Sequence, residues 1–132
     1  MTAKHVPVTD YCVFEYLYRD AGNWKTFGET LLVGGFCESL AAEIVQLLGA
    51  DGFFVAEQIG VPALQPEHHR THGRATDLDH AFHQFCGLRE ATSEDLLELT
   101  VSVQLTCVAD AIRKTEGDWY RWNCAQSPLG RW

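Results

Sequence analysis

The sequence predicts a small α+β domain, in which a small antiparallel sheet packs against two or three helices. Two arms rich in aromatic and β-branched residues flank a turn near the N-terminus, as in a β-hairpin. A segment with apolar residues at helical spacing follows, and a second aromatic, β-branched region supplies one or two further strands. The 132 residues fit a single domain, and a hydrophobic fraction of 46% is sufficient for a core.

The N-terminal hairpin comprises arms at residues 11–19 and 25–33, and its turn contains Gly22 and Asn23, which tolerate positive φ angles. Four residues of the first arm alternate onto one face: Cys12, Phe14, Tyr16 and Tyr18. The intervening positions are also partly apolar, so we expect the hairpin to be covered partly on both sides. Residues 1–10 are polar and are interpreted as a flexible arm.

A helix is predicted directly after the hairpin. Its apolar residues recur at helical spacing: Phe36, Leu40, Ile44, Leu47 and Leu48. The spacing predicts a helix over residues 38–48, with Gly49 as its stop. Residues 53–59 have the composition of a third strand, which Pro62 prevents from continuing. Residues 65–79 are polar and irregular, which predicts an exposed loop.

Two later segments fit both strand and helix. Residues 80–88 have a short helical stripe and also an aromatic strand pattern; the strand is favoured because the preceding strands need a fourth partner. In residues 97–107, apolar side chains alternate as in a strand, yet the same region continues a helical stripe. A hydroxyl followed by carboxylates is typical of a helix start, so a helix over residues 93–116 is favoured, interrupted near residues 100–102.

The C-terminal tail, residues 117–132, is densely aromatic and has no periodicity. Aromatic residues and arginine are enriched at protein interfaces. The candidate binding residues are therefore Trp24, Trp119, Tyr120, Arg121 and Trp122. Completion of the core and use as an interface explain this tail equally well.

The chain is acidic, with a formal net charge of −8 and no Lys or Arg between Lys25 and Arg70. Such a surface is unsuited to neutralising phosphates, which argues against duplex nucleic acid, and it suits a basic partner protein. No apolar run is long enough to cross a bilayer, so no membrane partner is expected. The five cysteines form no CxxC pair and no secretory signal precedes them, which favours a cytoplasmic location.

Histidines give the strongest sign of a chemical site, because five of the six fall between His68 and His83 with carboxylates nearby. Imidazole and carboxylate groups together bind zinc or another divalent transition metal. The candidate metal ligands are His68, His72, His80 and His83. No HExxH motif is present, and a strand would turn His80 and His83 to opposite faces. Solvated histidines on a loop are therefore the favoured interpretation.

Several segments of the first half share a pattern with other proteins: EYLYRD at residues 15–20, NWK at 23–25, FG at 27–28 and FFVAEQIGVP at 53–62. In these segments the chain resembles a group of small uncharacterised bacterial proteins, with a weaker similarity in residues 80–92. The resemblance implies a bacterial protein, and it implies no activity, ligand or site.

The acidic composition, the aromatic tail and the lack of a recognised catalytic motif predict a non-catalytic binding module. It would recognise another protein, as inhibitor or immunity proteins of this size and charge do, or form a homodimer, and no cofactor is expected. One alternative is a metal-dependent hydrolase or metal-binding protein that uses the His68–His83 window. Another is a small-molecule or nucleotide sponge that holds its ligand between the sheet and Trp24. Whether the protein is an enzyme stays open, with non-catalytic binding preferred.

Overall fold

The computed structural model describes residues 7–72, 80–115 and 119. In these ranges the chain forms a five-stranded mixed sheet and five helices, which confirms the α+β class. The strands are β1 (Pro7–Arg19), β2 (Lys25–Val33), β3 (Phe53–Val55), β4 (Phe82–Thr92) and β5 (Val101–Gln104). The helices are α1 (Glu38–Leu48), α2 (Ala56–Ile59), α3 (Gln65–His72), α4 (Ser93–Glu98) and α5 (Leu105–Thr115).

The sheet has the strand order β3-β4-β1-β2-β5, with β1 at its centre. The hairpin is confirmed: β1 pairs antiparallel with β2, and Asn23 in the turn has a φ of 71°. β4 lies antiparallel on the other side of β1, as the strand interpretation of residues 80–88 predicted. The expectation of a purely antiparallel sheet of three or four strands is wrong, because β5 is a fifth strand and pairs parallel with β2.

The main core lies on one face of the sheet, which we term the first face. Its β1 residues are at most 1% exposed: Cys12, Phe14, Tyr16 and Tyr18. They pack with Ile44 of α1, Ile59 of α2 and Val108 of α5. Burial of these aliphatic side chains stabilises the fold by about 1.5–3 kcal/mol each. The alternation of β1 therefore selects which side of the sheet the helices cover.

The opposite side of the sheet, the second face, is covered only in part by the described chain. Val13, Leu31 and Ala91 form a buried cluster there, against which Leu99 packs after the end of α4. Farther along β2, Phe27 is 71% exposed. The expectation that the hairpin is partly covered on both sides is confirmed.

Residues 53–59 are not one strand. β3 ends at Val55, and a helical turn, α2, follows it. In the turn, Ala56 and Ile59 are three positions apart and are both buried. A continued strand would have kept Glu57 in the same row as Val55 and Ile59.

Residues 65–72 form helix α3, so the predicted loop is wrong there; residues 73–79 lie outside the described ranges. Although the helix is polar, Gln65 and His68 are buried. Gln65 donates a hydrogen bond from its Nε2 to the carbonyl oxygen of His80 at 3.0 Å. Tertiary partners of this kind let a polar helix be buried without an apolar stripe.

The predicted helix over residues 93–116 is two helices, α4 and α5, and its expected interruption is the strand β5. The backbone NH of Leu31 and the buried hydroxyl of Thr30 both donate to the carbonyl oxygen of Thr100, each at 2.9 Å. The edge of β2 thus supplies the hydrogen-bonding partner that residues 101–104 need in order to form a strand. At the N-terminus, residues 7–10 belong to β1 and not to an arm.

Candidate functional site

The four histidines predicted as metal ligands gather near the phenol ring of Tyr18. The ring centroids of His68, His80 and His83 lie 4.8, 5.3 and 5.4 Å from that of Tyr18. His72 packs against His68, with the two rings tilted and their centroids 4.7 Å apart. We refer to these four imidazoles and Tyr18 as the histidine junction. It joins α3 to the central strand and to the start of β4.

His83 is fixed as a neutral imidazole. It is 1% exposed, and its Nε2 accepts a hydrogen bond from the backbone NH of Leu64 at 3.0 Å. The remaining ring nitrogen, Nδ1, therefore carries the proton and donates to the carbonyl oxygen of Ala81 at 3.2 Å. Burial lowers the pKa of His83 to about 3, from an ordinary value of 6.5. Both nitrogens are thus engaged by the protein backbone.

His80 also uses both ring nitrogens within the fold. Its Nδ1 accepts from the backbone NH of Phe82 at 3.0 Å, so its Nε2 donates to the carbonyl oxygen of Arg19 at 2.8 Å. Its own backbone NH donates to the hydroxyl of Tyr18 at 3.2 Å. His80 therefore fixes the start of β4 beside the end of β1.

His68 is held between a carboxylate and a hydroxyl. Its Nε2 lies 2.9 Å from Oδ2 of Asp20, and its Nδ1 lies 2.8 Å from Oγ1 of Thr26. Burial would raise the pKa of Asp20, but hydrogen bonds from His68 and from the backbone of Trp24 and Gly22 outweigh it and hold that pKa below its ordinary value.

Asp20 accepts a hydrogen bond from Nε2 of His68, and Nδ1 of the same ring is hydrogen-bonded to the Thr26 hydroxyl. Carboxylate, imidazole and hydroxyl follow one another in this order in hydrolytic triads. Here the imidazole is 2% exposed and the three groups come from the turn, α3 and β2. The chain of hydrogen bonds fastens α3 to the hairpin.

The junction offers no preformed metal site in the described part of the chain. Three of its four imidazoles use both nitrogens on protein partners, and Nε2 of His72 lies 3.0 Å from the carbonyl oxygen of Lys25. Among residues 7–72 and 80–115, no three His, Cys, Asp or Glu side chains are grouped as ligands for an ion. Metal binding by His68, His72, His80 and His83 stays a prediction.

The predicted binding residues that fall in the described ranges lie in different surroundings. Trp24 is 61% exposed in the hairpin turn, and its ring centroid lies 5.4 Å from that of His72. Trp119 is half-buried and packs against the cluster of Val55 and Ala81. Trp119 therefore completes the core, whereas Trp24 remains available at the surface. The other three predicted residues, Tyr120, Arg121 and Trp122, lie outside the described ranges.

A row of residues crosses the second face, with an exposed phenylalanine at each end and a buried Leu17 between them. Strand register places Phe53 opposite Gln84, Gln84 opposite Leu17, and Leu17 opposite Phe27. Directly opposed side chains lie on the same face, so these four residues form one row across four strands. Phe27 and Phe53 are 71% and 48% exposed. We term this set the apolar row.

A charged row runs beside the apolar row, two residues away on β1 and β2 and thus at a distance of about 7 Å. Glu15 and Glu29 are directly opposed in it. Arg89 donates to Glu15 at 3.1 Å and to Glu29 at 2.7 Å, and it makes a two-pronged contact with Asp95 at 2.8 and 3.0 Å. The Arg89 hydrogen bonds lower the pKa of Asp95 to about 2. The Asp95 carboxylate is therefore ionised at neutral pH.

The two rows border a groove of about 330 Å³ whose walls include Phe27 and Leu99. Glu15, Glu29 and the exposed Cys86 also line it. Burial and the nearby Glu15 raise the pKa of the Cys86 thiol, so the thiolate needed for nucleophilic attack is disfavoured. The groove combines apolar walls with anionic groups. This combination suits a side chain that has an aliphatic stem and a cationic end, such as lysine or arginine.

No family model, curated protein or solved structure matches this chain. The resemblance to small uncharacterised bacterial proteins therefore stays a prediction. In residues 7–72 and 80–115, none of the helices combines the length and apolar character that crossing a bilayer requires. The groove itself had a weak sequence signal: Phe27 and Glu29 are two positions apart and share one face of their arm, as Leu17 and Glu15 do on the other arm.

Proposed function

We propose that the protein is a non-catalytic binding module that recognises a partner protein at the second face of its sheet. The observation that supports this most directly is Phe27, a large aromatic side chain that is 71% exposed on a regular strand. It belongs to the apolar row with Leu17 and Phe53, which spans four strands. Large exposed aromatic side chains are used at protein interfaces, where phenylalanine is enriched.

Charge favours a basic partner. The chain has a formal net charge of −8, and the groove beside the apolar row contains Glu15 and Glu29. A basic protein would be attracted over several ångströms and oriented by that field. A second copy of this chain would be repelled by the same charge, so we propose a heterologous partner before a homodimer. Duplex nucleic acid would be repelled as well.

The test compares two substitutions of exposed apolar residues, one within the apolar row and one outside it. The protein is used to capture its partner from extracts of the producing cell, the partner is identified and purified, and its affinity is measured by calorimetry. We expect Phe27→Ser to weaken binding about tenfold or more, since central interface residues cost over 1 kcal/mol when truncated. Leu97→Ser, at a site 86% exposed on α4, should change affinity less than about twofold.

Equal loss in both variants would show non-specific adhesion, and unchanged affinity for Phe27→Ser would exclude the second face as the binding site. Circular dichroism of each variant checks that the fold is retained.

The aromatic tail remains part of the proposal through Tyr120, Arg121 and Trp122. Because Trp119 packs into the core, the informative truncation ends the chain after Trp119. In the same assay we expect this shortened chain to stay folded and to bind the partner more weakly. Full affinity of the shortened chain would remove these three residues from the binding surface.

A further inference from the structure

We infer that the partner places a lysine or arginine side chain in the groove between Phe27 and Leu99, with its cationic group beside Glu15 and Glu29. The inference rests on the proposed function, and it specifies which chemical group of the partner the groove binds. Three features of the groove carry it: an unfavourable pair of glutamates, an incomplete internal neutralisation, and space above the charged row.

The first feature is the direct opposition of Glu15 and Glu29 on neighbouring strands. Like charges directly opposed in a sheet repel and destabilise the pairing. Glu29 is exposed and Glu15 is half-buried, so burial in the core does not explain their presence. Arg89 bridges the two glutamates and relieves part of this repulsion, and an external cation on the open sheet face would relieve the rest.

The second feature is that Arg89 neutralises this region only in part. One guanidinium is shared by three carboxylates, those of Glu15, Glu29 and Asp95, which leaves two negative charges in excess. Asp95 takes the two-pronged contact, while each glutamate meets Arg89 through its Oε2 atom alone. Asp95 also caps α4 by accepting from the backbone NH of Thr92 at 2.8 Å. Arg89 is therefore anchored toward α4, and the glutamates face the groove.

The third feature is the space above the charged row. Gly87 lies opposite Glu15 in β4 and has no side chain to fill the position. A Cβ atom at Gly87 would lie 3.6 Å from Oε1 of Glu15, an ordinary contact distance. With glycine at this position, no side chain from β4 covers the glutamate oxygen that does not contact Arg89. The exposed ring of Phe27 forms one wall, where it can pack against an aliphatic stem and attract a cation.

The arrangement fits an extended segment in which apolar residues stand two positions before and after a basic one. The cation would lie over the charged row, and the flanking side chains would lie about 7 Å away over the apolar row. A small inorganic cation would use the carboxylates without the apolar walls, and a second copy of the chain would bring like charge to the groove.

The test uses two synthetic peptides and the full-length protein, labelled for NMR. One peptide is acetyl-Leu-Ser-Lys-Ser-Leu-amide, in which the three larger side chains share one face, and the other has glutamate in place of the lysine. We expect the lysine peptide alone to shift the amide signals of Glu15, Phe27, Glu29 and Gly87. Replacing both groove glutamates by glutamine should weaken its binding about fivefold, since exposed ion pairs contribute about 0.2–1 kcal/mol each.

Two further variants separate the groove from general charge. Gly87→Leu, which fills the gap without changing charge, should also weaken binding of the lysine peptide. Glu38→Gln, on an exposed residue at the start of α1, removes one charge elsewhere and should leave affinity within about twofold. Glutamine can still accept the Arg89 hydrogen bonds, so the glutamine variants should retain the fold.

Equal binding of the two peptides, shifts on another surface, or unchanged affinity in the glutamine and Gly87→Leu variants would each overturn the inference. So would a concentration-dependent dimer, detected by sedimentation, that the glutamine variants dissociate, because the occupant would then be a second copy. If Phe27→Ser weakens capture of the natural partner while the glutamine variants do not, the inference fails and the proposed function stands. If Phe27→Ser has no effect, the proposed function fails.

Discussion

His83 shows how a single ionisable side chain is tied to the fold. Its imidazole is 1% exposed and accepts a hydrogen bond from the backbone NH of Leu64. The folded state therefore requires the neutral form of the ring. A protonated ring would lose that hydrogen bond and would carry a buried charge. The unfolded chain has no such restriction, and its histidine takes up a proton near pH 6.5.

The stability contributed by neutral His83 should therefore depend on pH. Because burial lowers its pKa to about 3, the contribution is fully present above pH 6.5 and is lost as pH falls from 6.5 toward 3. We expect the free energy of unfolding to fall over this interval, and His83→Gln to flatten the fall. Urea unfolding at pH 7.0, 6.2 and 5.5 measures it, above the range in which most carboxylates titrate. The exposed His72→Gln serves as control, and an equal flattening there would contradict the role of His83.

At the scale of elements, β5 illustrates what a sequence pattern leaves undecided. Residues 97–107 carry apolar side chains that fit both periods, so neither helix nor strand is preferred locally. The choice between helix and strand depends on β2. The backbone NH of Leu31 and the hydroxyl of Thr30, at the edge of β2, donate to the carbonyl oxygen of Thr100. The Thr30 hydroxyl is also hydrogen-bonded to the hydroxyl of Ser102. Its side chain, 1% exposed, is the main polar link between the hairpin and β5.

Replacing Thr30 by valine should loosen β5 while preserving the shape of the core. The variant leaves the carbonyl of Thr100 with one hydrogen bond fewer, so we expect a loss of about 1–2 kcal/mol in the free energy of unfolding. Hydrogen exchange should also accelerate at the amides of β5 before those of β1. Thr9→Val, on an exposed position of β1, makes the same chemical change at the surface. Equal destabilisation by both variants would show that strand propensity and not the Thr30 hydrogen bonds is responsible.

At the scale of the whole molecule, the central strand β1 receives its neighbours from both halves of the chain. β2 follows it directly, whereas β4 is separated from it by α1, β3, α2 and α3. The main core likewise combines Ile44 of α1 with Val108 and Ile112 of α5. A fold with this connectivity should be one cooperative unit, because neither half can cover the first face of the sheet alone.

A fragment of residues 1–72 should therefore fail to fold. It would contain the hairpin but not β4 or α5, so one side of β1 and much of the first face would be uncovered. We expect far-UV circular dichroism of the fragment to show little regular structure, and addition of a fragment of residues 73–132 to restore the native spectrum. The full-length chain should unfold in a single transition by both fluorescence and circular dichroism. A folded, monomeric 1–72 fragment would contradict the single-domain prediction.

Local pattern was sufficient for several elements of this protein. The hairpin, α1 and the side of β1 that faces the core follow from residue type, spacing and the turn chemistry of Asn23. These features depend on neighbours within a few positions, which is why the sequence by itself determined them. The start of α4 is similar, since Thr92 and Asp95 cap it within one turn.

Tertiary structure alone decided the rest. The polar helix α3 is held by His68, whose partners Asp20 and Thr26 are more than forty positions away in sequence. The groove arises because pairing in the hairpin brings Glu15 and Glu29 opposite one another and pairing with β4 brings up Arg89. Each of these contacts joins residues whose spacing along the chain carries no periodic signal. Only the strand register, fixed by burial of the alternate face, makes them neighbours.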